Sequence, residues 1–501
     1  MSASRASAGK GALSVPEAAR QAVRELLRVA PTTQRLADLF TAAGHELYLV
    51  GGPVRDALLG RLHDDLDFAT DAHPDRVLQL VSPLGPTWTT GIDFGTVGVQ
   101  LTDGDVQHRC EITTFRNDSY DPRSRKPEVR FGSSIEGDLS RRDFTVNAMA
   151  IQLPLQAAHP VVDPFGGLTD LSRRLLRTPV AAEQSFDDDP LRMLRAARFT
   201  AQLGFSVDPA ALAAIRTMAS RLSIVSAERV RDELVKLVLA PEPRRGLELL
   251  VDTGLAEYCI PELGRLKETV DEHRRHKDVY AHTLTVLEQA IALETDGPDL
   301  VLRLAALLHD IGKPKTKSVG PGGKVSFHHH EVVGAAMTRQ RLTELRFPKD
   351  VVDDVSRLVE LHLRFHGYAE GEWTDSAVRR YVRDAGPLLE RLHRLTRSDC
   401  TTRNPAKVRA LSSAYDSLEQ RINELAEQED LQRMRPDLDG NEIMEILDIG
   451  PGPLVGQAYR HLLEQRIDRG SLPHDEAVAE LRRWAAEQDA SGGAAPAAKN
   501  E

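Results

Sequence analysis

The sequence contains little cysteine, few aromatic residues and no long apolar run. Its three cysteines, Cys110, Cys259 and Cys400, are far apart in 501 residues, so they offer no disulfide framework and indicate a reducing compartment. No apolar run approaches the roughly 18 residues that a membrane span needs. The polar start MSASRASAGKGALSVPEAAR has no apolar signal segment. We therefore expect a cytoplasmic protein that does not cross a membrane.

An excess of positive charge is also missing. The net charge of -11 at pH 7 argues against a general nucleic-acid coat, whose phosphate contacts require surplus lysine and arginine. Local arginine clusters remain, and they indicate either solvated helix faces or a limited basic surface.

The length and the hydrophobic patterns predict a multidomain protein, α/β at first and all-α afterwards. At ~100–200 residues per domain, the chain has room for roughly three domains. Short β-rich runs such as LYLV and TVGVQL precede long stretches with helical spacing of apolar residues. The predicted segments are a polar, disordered N-terminal extension (1–31), an α/β head (32–167), a helical domain (168–272), a histidine-rich helical domain (273–404), a C-terminal helical region (405–486) and a disordered tail (487–501).

The segment LVGGPVRDALLGRLHDDLDFAT, residues 49–70, combines a glycine turn with two aspartates. A strand, a Gly51-Gly52 turn and a helix start would direct backbone N–H groups into one loop, where phosphate binds. On a strand, Asp65 and Asp67 would point to one face roughly 7 Å apart, which suits metal ions. Together they indicate Mg²⁺-dependent phosphoryl or nucleotidyl transfer. The alternative is a structural turn beside a polar strand face.

Three further motifs follow in order: RRDFTVNAMA (141–150), FDDDPLRMLRAARFTAQLGF (186–205) and ERVRDELVKLV (228–238). With GG-x-VRD and D-x-D, the sequence resembles class II tRNA nucleotidyltransferases, the CCA-adding enzymes, and bacterial poly(A) polymerases over roughly residues 47–260. The resemblance implies a polymerase-β-like nucleotidyltransferase head with a helical neck and body. It implies that the partners are tRNA, CTP and ATP.

The resemblance also implies roles for the carboxylates. Asp65 and Asp67 would hold two Mg²⁺ ions, one near the primer 3′-hydroxyl and one on the triphosphate. Glu111, in CEITTF on a neighbouring strand, is a candidate third carboxylate; the alternative is an ordinary strand-surface glutamate.

Phosphate binding is implied for residues in two of the motifs. Gly52 and Arg55 would cradle the triphosphate, and Arg142 would supply further positive charge. Arg141 and Asp143 would equally orient neighbouring side chains or cap a helix.

Template-free selection of the base is implied for the motif that begins at Phe186. Asp189 would accept from the exocyclic amine of C or A, and Arg192, three residues on along a helix, would donate to the adjacent ring acceptor. Arg195 and Arg198 drift around the helix axis and would reach the triphosphate or ribose. Asp188 stands where the family has glutamate; the alternative is that it caps a helix N-terminus.

Two other segments bear on the product. FRNDSYDPRSRKPEVRF, residues 115–131, is predicted to be a mobile loop of the kind that the family needs for adding the terminal A. GIDFGTVGVQL replaces the arginine-rich segment of the poly(A) polymerases and favours tRNA repair. An A-adding or poly(A)-adding enzyme remains the alternative.

The histidine-rich domain resembles the HD metal-dependent phosphohydrolases. Its order of H, HD, H, H and D matches their ligand pattern, and imidazoles with carboxylates suit a divalent transition metal or, weakly, Mg²⁺. The implied ligands are His282, His309, Asp310, His330, His362 and Asp399.

The function of this domain stays open between two interpretations. It either hydrolyses phosphoesters, such as cyclic phosphates on RNA ends, or is a degenerate domain that serves structure or RNA contact. His328, His329 and His366 are expected to be loop or surface residues. A rival from another class is a phosphohydrolase of nucleotides or cyclic phosphates with a merely regulatory head.

Overall fold

The computed structural model describes residues 22, 25–26, 28–62, 64–119, 128–132, 134–154, 161–269, 278–321, 325–365, 373–401, 404–429 and 435–491. The chain divides into two compact units, residues 1–264 and 265–501. Of the helices within the described ranges, none has both the length and the apolar character needed to cross a membrane.

The first part of the first unit contains strands β1–β9 and, from residue 30 onward, helices α1–α4 within the described residues. The strands are β1 (Leu47–Val50), β2 (Asp65–Thr70), β3 (Thr87–Trp88), β4 (Thr96–Asp103), β5 (Val106–Thr114), β6 (Arg116–Ser119), β7 (Glu128–Phe131), β8 (Ala150–Leu153) and β9 (Val161–Val162). The helices are α1 (Ala30–Ala42), α2 (Gly52–Leu58), α3 (Pro74–Val81) and α4 (Ile135–Ser140). Seven strands form one sheet in the order β3-β4-β5-β2-β1-β8-β9, in which only β2 and β5 are parallel.

One face of this sheet is buried and the other is open at its centre. Along β2, Leu66 and Phe68 are buried, whereas Asp65 and Asp67, which alternate with them, are exposed. α1 packs against β1, β4 and β8, and α3 packs against β4 and β5. Because strand side chains alternate between faces, this packing leaves the two aspartates on the open face, as the sequence pattern predicted.

The rest of the first unit is largely helical. It contains α5 (Gly167–Arg173), β10 (Leu175–Leu176), α6 (Ala182–Asp188), α7 (Leu191–Leu203), β11 (Ser206–Val207), α8 (Pro209–Met218), α9 (Ala227–Val238), α10 (Pro243–Asp252) and then α11 (Pro261–Lys267). α7 packs against α9 and α10. Gly246 permits the close approach of α10, because a Cβ there would lie 2.5 Å from the carbonyl oxygen of Ala197.

Within the described residues, the second unit is helical apart from a short β-ladder. Its elements are α12 (Val279–Ala292), α13 (Leu300–Leu308), α14 (Lys313–Thr316), β12 (Ser318–Val319), β13 (Val325–Ser326), α15 (His330–Glu344), α16 (Lys349–Leu361), α17 (Asp375–Ala385), α18 (Leu389–Asp399), α19 (Pro405–Glu429), α20 (Gly440–Leu447), α21 (Pro453–Arg469) and α22 (His474–Ser491). The apolar helix α13 is buried from Val301 to Leu308 and packs against α12, α16 and α18. α20, α21 and α22 share a separate apolar core.

The structure differs from the predicted disordered ends. Ala22, Leu26 and Val29 are buried, and their spacing of four and three residues puts them on one helix face, so order begins before residue 32. α22 continues to Ser491, beyond the predicted start of the tail at residue 487. Residues 1–21 and 492–501 lie outside the described residues.

The predicted loop of residues 115–131 also differs in part. β6 and β7 occupy its two ends and pair antiparallel, with Arg116 opposite Phe131. Backbone N–H and C=O groups of these ends therefore find hydrogen-bond partners through strand pairing. Residues 120–127 lie outside the described residues.

Candidate active site and metal centre

Three carboxylates lie together on the open face of the head sheet. Asp67 and Glu111 are direct register partners in the parallel β2–β5 ladder, and Asp65 lies two residues before Asp67. Register partners in adjacent strands point to the same face of a sheet. The sheet thus brings Glu111, proposed from sequence alone, beside the aspartate pair.

The carboxylates repel one another. The pKa of Asp67 is raised to about 6, first because the surrounding protein displaces water around a side chain that still reaches solvent, and also because of Glu111 and Asp65. Arg142 opposes this rise only in part. Accumulated negative charge on oxygen ligands is what a divalent cation relieves, so the residues present fit Mg²⁺.

The glycine turn brings Arg142 close to these carboxylates. Gly51 has φ 75°, a left-handed conformation that favours glycine, and Gly52 begins α2. A Cβ at Gly51 would lie 2.5 Å from Nη1 of Arg142, so the guanidinium packs directly on the turn. Arg142 therefore touches the turn and is also near enough to Asp67 to lower the pKa of its carboxyl.

Arg55 is held inside the protein rather than presented to the open face. It is only 6% exposed, and its Nη1 donates to Oδ1 of Asn147 at 2.6 Å. Its Nη2 also lies 2.9 Å from Asp56, and its guanidinium lies 5.3 Å from the ring centre of Phe199. In this structure Arg55 ties α2 to the following motifs, and the predicted phosphate contact stays a prediction.

Two buried aspartates, Asp138 and Asp143, hold the side chains of the RRD motif in place. Asp138 accepts from Arg141 at 2.6 Å and from Arg142 at 3.1 Å. Burial alone would raise the pKa of Asp138, but the two guanidinium groups outweigh it and hold this pKa below its usual value. Asp138, which the sequence reasoning did not single out, thus orients both arginines.

Asp143 connects the head to α7. One oxygen accepts from the Phe144 N–H at 2.8 Å and from Asn147 at 3.0 Å, and the other lies 3.0 Å from Arg195. Burial raises the pKa of Asp143, but Arg195 and these hydrogen bonds outweigh the burial and lower it. Asn147 also accepts a hydrogen bond from Arg55. The side chains of Arg55, Asn147, Asp143 and Arg195 therefore form one network.

The two predicted base-reading residues have separate partners. Asp189 does not lie on a helix with Arg192 as predicted, because α7 begins at Leu191 and Asp189 has an extended backbone. Its carboxylate lies 2.9 Å from Arg229 of α9. Arg192 is buried and donates to the hydroxyl and carbonyl oxygens of Ser185 at 2.8 and 3.0 Å.

Arg198 faces a buried partner. Its Nε donates to Glu233 of α9, and both residues are less than 9% exposed. The predicted contact of Arg198 with the triphosphate or ribose therefore stays a prediction, while its visible role is to join α7 to α9. The motif ERVRDELVKLV already contained Arg229 and Glu233, but its helical spacing alone could not reveal their partners.

The second unit brings six histidine and aspartate residues together from separate elements. Two sets of three potential ligands, whose ligand atoms lie within 4.8 Å of one another, share Asp310. Close contacts join Asp310 to His309 at 3.2 Å and to His330 at 3.3 Å. The sixfold set is His282, His309, Asp310, His330, His362 and Asp399.

Backbone carbonyls orient three of the imidazoles. Nδ1 of His309, His330 and His362 lies within 2.8 Å of the carbonyl oxygens of residues 306, 327 and 359 respectively. Their Nε2 atoms are buried without a well-formed hydrogen bond in the described structure. Such a fixed tautomer with an unused inward nitrogen is typical of a metal ligand, so these residues fit a divalent metal.

The electrostatics of this centre follow from burial and mutual contact. The pKa of His362 is lowered to about 3, first by burial and then by the neighbouring His309. Burial raises the pKa of Asp399, but His282 and His309 outweigh it and lower it. A neutral imidazole and an ionised carboxylate are the forms that bind metals.

Lys313 and Gly312 complete the surroundings of Asp310. Nζ of Lys313 lies 2.8 Å from Asp310. A Cβ on Gly312 would lie 2.1 Å from the His330 carbonyl oxygen, so glycine allows the loop after the HD pair to touch the start of α15. His328 and His329 are exposed, as expected, and His366 lies outside the described residues.

Sequence profiles of three domain families match the chain. The "Poly A polymerase head domain" matches residues 47–177, and the "Probable RNA and SrmB- binding site of polymerase A" matches residues 204–266. The "HD domain" matches residues 279–404. The fold and both sites thus define a nucleotidyltransferase with an attached HD domain.

Individual relatives support this class along most of the chain. The chain is 35% identical to the A-adding tRNA nucleotidyltransferase of Deinococcus radiodurans over 88% of this chain and 96% of that protein. It is 42% identical to the CCA-adding enzyme of Lactobacillus johnsonii over 46% of this chain, and the match spans about half of that relative, 54%. The crystal structure of the Bacillus stearothermophilus CCA-adding enzyme in complex with CTP superposes with a TM-score of 0.64 at 26% identity, covering 91% of this chain and 97% of that one.

The chain belongs to the family of tRNA nucleotidyltransferases and bacterial poly(A) polymerases, and it is an enzyme of that family. Its nucleotidyltransferase and HD domain families depend on divalent metals.

Proposed function

We propose that the protein completes or repairs the 3′-terminal CCA of tRNA from CTP and ATP, without a nucleic-acid template. The observation that carries this proposal is the row of Asp65, Asp67 and Glu111 on the open face of the sheet, beside the Gly51-Gly52 turn. The names of the relatives supply the tRNA substrate class.

The head would act by positioning and charge compensation. Bound Mg²⁺ would activate the primer 3′-hydroxyl and neutralise the triphosphate. Asp65, Asp67 and Glu111 would hold these ions. Arg142, oriented by Asp138, would bind phosphate oxygens beside the turn.

Base selection would depend on Asp189. Its carboxylate can accept a hydrogen bond from the amine of cytosine or adenine, which uracil and guanine lack at that position. Arg229 presently engages this carboxylate, and Arg192 engages Ser185. Reading by Asp189 and Arg192 therefore requires both side chains to exchange partners when the nucleotide binds.

Addition of A alone is the second candidate. It is favoured by the match to the Deinococcus radiodurans A-adding enzyme over almost the full length of both chains. The β6–β7 ladder belongs to residues 115–131, a segment of the kind that the family needs for adding the terminal A, so it fits both candidates.

One experiment separates these candidates. Purified protein with Mg²⁺ is incubated with a tRNA transcript lacking CCA and with a second transcript ending in CC, supplying CTP and ATP separately and together, and the ends are sequenced. CCA on the first transcript supports the proposal, whereas A on the second alone identifies an A-adding enzyme. A long A tail moves the protein to the poly(A) polymerases, and no incorporation contradicts the proposal.

We propose that the HD domain is a metal-dependent phosphoesterase. Its buried Nε2 atoms, which make no well-formed hydrogen bond in the described structure, and its shared Asp310 support a working metal centre rather than a degenerate one. A bound metal would activate water, and Lys313 would supply positive charge near a leaving oxygen. Hydrolysis of 2′,3′-cyclic nucleotides by the intact protein tests this, and its absence with Mn²⁺, Ni²⁺ and Zn²⁺ alike would contradict it.

A further inference from the structure

Trp88 lies on the open face of the head sheet, in the same row as the carboxylates. It is the register partner of Gly98, Gly98 is the partner of Glu111, and Glu111 is the partner of Asp67. Partners in neighbouring strands share a face, so the indole stands on the catalytic side of the sheet.

The indole rests directly on the backbone of β4. A Cβ at Gly98 would lie 1.8 Å from Cε2 of Trp88, which shows that the ring covers this glycine. With neighbouring strands about 4.8 Å apart, the ring lies about 5 Å from the Glu111 strand and about 10 Å from the Asp67 strand.

Arg109 connects the indole with the carboxylates. Its guanidinium carbon lies 4.7 Å from the centre of the Trp88 ring, and its Nη2 lies 3.2 Å from Glu111. The side chain of Arg109 is 60% exposed, so its remaining donors face solvent. An aromatic ring next to an accessible arginine is the combination that binds a stacked base with its phosphate.

The two sides of the carboxylate row are chemically different. On the β1 side, the glycine turn and Arg142 form the proposed triphosphate site. On the opposite side, β5, β4 and β3 present Arg109 and Trp88 without a comparable phosphate cradle among the described residues. In a reaction that joins a triphosphate to a 3′-hydroxyl, the second side is left for the primer.

We propose that Trp88 and Arg109 form the binding subsite for the 3′-terminal nucleotide of the tRNA primer, whose base takes the place of the Arg109 guanidinium over the indole while Arg109 turns to bind its phosphate. This inference rests on the proposed nucleotidyl transfer. It makes the two residues positioning groups that hold the 3′-hydroxyl at the carboxylates and do not read the incoming base.

Binding and kinetics of Trp88→Ala test the subsite. The probe is a fluorescein-labelled tRNA transcript ending in CC, titrated without nucleoside triphosphate. We expect Trp88→Ala to weaken tRNA binding and to raise the KM for tRNA about tenfold, with the KM for ATP within about twofold of wild type. Trp88→Phe should restore most of the affinity, and Trp373→Phe in the second unit serves as the matched control.

A modified primer makes the test specific for stacking. A transcript whose 3′-terminal nucleotide lacks its base should bind the wild type about tenfold more weakly and should bind Trp88→Ala no worse than the intact transcript does. Gly98→Ala, which displaces the indole without removing it, should behave like Trp88→Ala. Circular dichroism checks that each variant is folded.

The outcomes separate this inference from the proposed function. Three results would each overturn the subsite. Trp88→Ala could leave tRNA binding unchanged, it could weaken the binding of intact and abasic primers equally, or it could raise the KM for ATP instead of the KM for tRNA. Failure of the wild type to extend any tRNA while it still binds the transcript would contradict the proposed function and leave the binding result standing.

Discussion

The two candidate sites of this protein hold their ligands in opposite ways. In the head, Asp65 and Asp67 are exposed side chains on the surface of a sheet, and only strand register brings Glu111 to them. In the HD domain, His309 and His362 are buried, and backbone carbonyls fix their rings. An open row suits ions that arrive and leave with a nucleotide, whereas a closed centre suits an ion that stays.

The largest expected effect is at the open row. Asp67→Ala should lower nucleotide incorporation about a thousandfold or more, because it removes a metal ligand needed in the transition state. Incorporation into a tRNA transcript measures this, and Asp105→Asn in the exposed β4–β5 turn is the control. Hydrolysis of cyclic phosphates by Asp67→Ala should persist; its loss would break the distinction between the sites.

Metal retention in the closed centre should depend on His330 and not on the neighbouring His329. His330→Ala should weaken metal retention by at least about 100-fold, whereas His329→Ala, whose side chain is 83% exposed, should leave it unchanged. Metal content after dialysis against EDTA is the measurement. When Mg²⁺ is added back after dialysis, both variants should regain nucleotide incorporation at once. Equal loss of metal from the two variants would argue against a preorganised centre.

The half-exposed Asp189–Arg229 pair should affect selectivity rather than rate. Arg229→Ala releases the Asp189 carboxylate, so the preference for CTP over UTP should change about tenfold while incorporation of the best nucleotide continues. Competition between the two nucleotides on one transcript measures the ratio. Arg231→Ala, on the same helix but paired with Asp232, is the control. An unchanged ratio would exclude a role for this pair in selection.

The smallest effect concerns the buried support behind the open row. Because the pKa of Asp138 is lowered in the folded state, its stabilisation is present above the usual value of 3.8 and is lost as the pH falls below it. The protection factors of amides in peptides from residues 134–150 of the full chain, with the intrinsic exchange rate at each pH divided out, should therefore fall below about pH 4. Asp138→Asn should remove about 1–3 kcal/mol at pH 7 and flatten this dependence. A wild-type profile independent of pH down to pH 3 would argue against the ion pairs.

The sequence predicted elements better than contacts. The turn at Gly51-Gly52 and the alternating face of Asp65 and Asp67 followed from local periodicity and glycine chemistry. The burial of Arg55 and the pairing of Asp189 with Arg229 did not, because each depends on a residue at least 40 positions away. Disorder before residue 32 was predicted from polar composition, which concealed the helical spacing of Ala22, Leu26 and Val29.

By itself, the sequence determined the family, the order of its motifs and the set of residue types available for metal and phosphate chemistry, because these depend on local patterns. The tertiary structure alone decided which of these groups face one another. Strand register placed Glu111 beside Asp67 and Trp88 over Gly98. Helix packing brought Arg198 within hydrogen-bonding distance of Glu233. Such pairings arise from long-range burial and backbone hydrogen bonding, which no local pattern encodes.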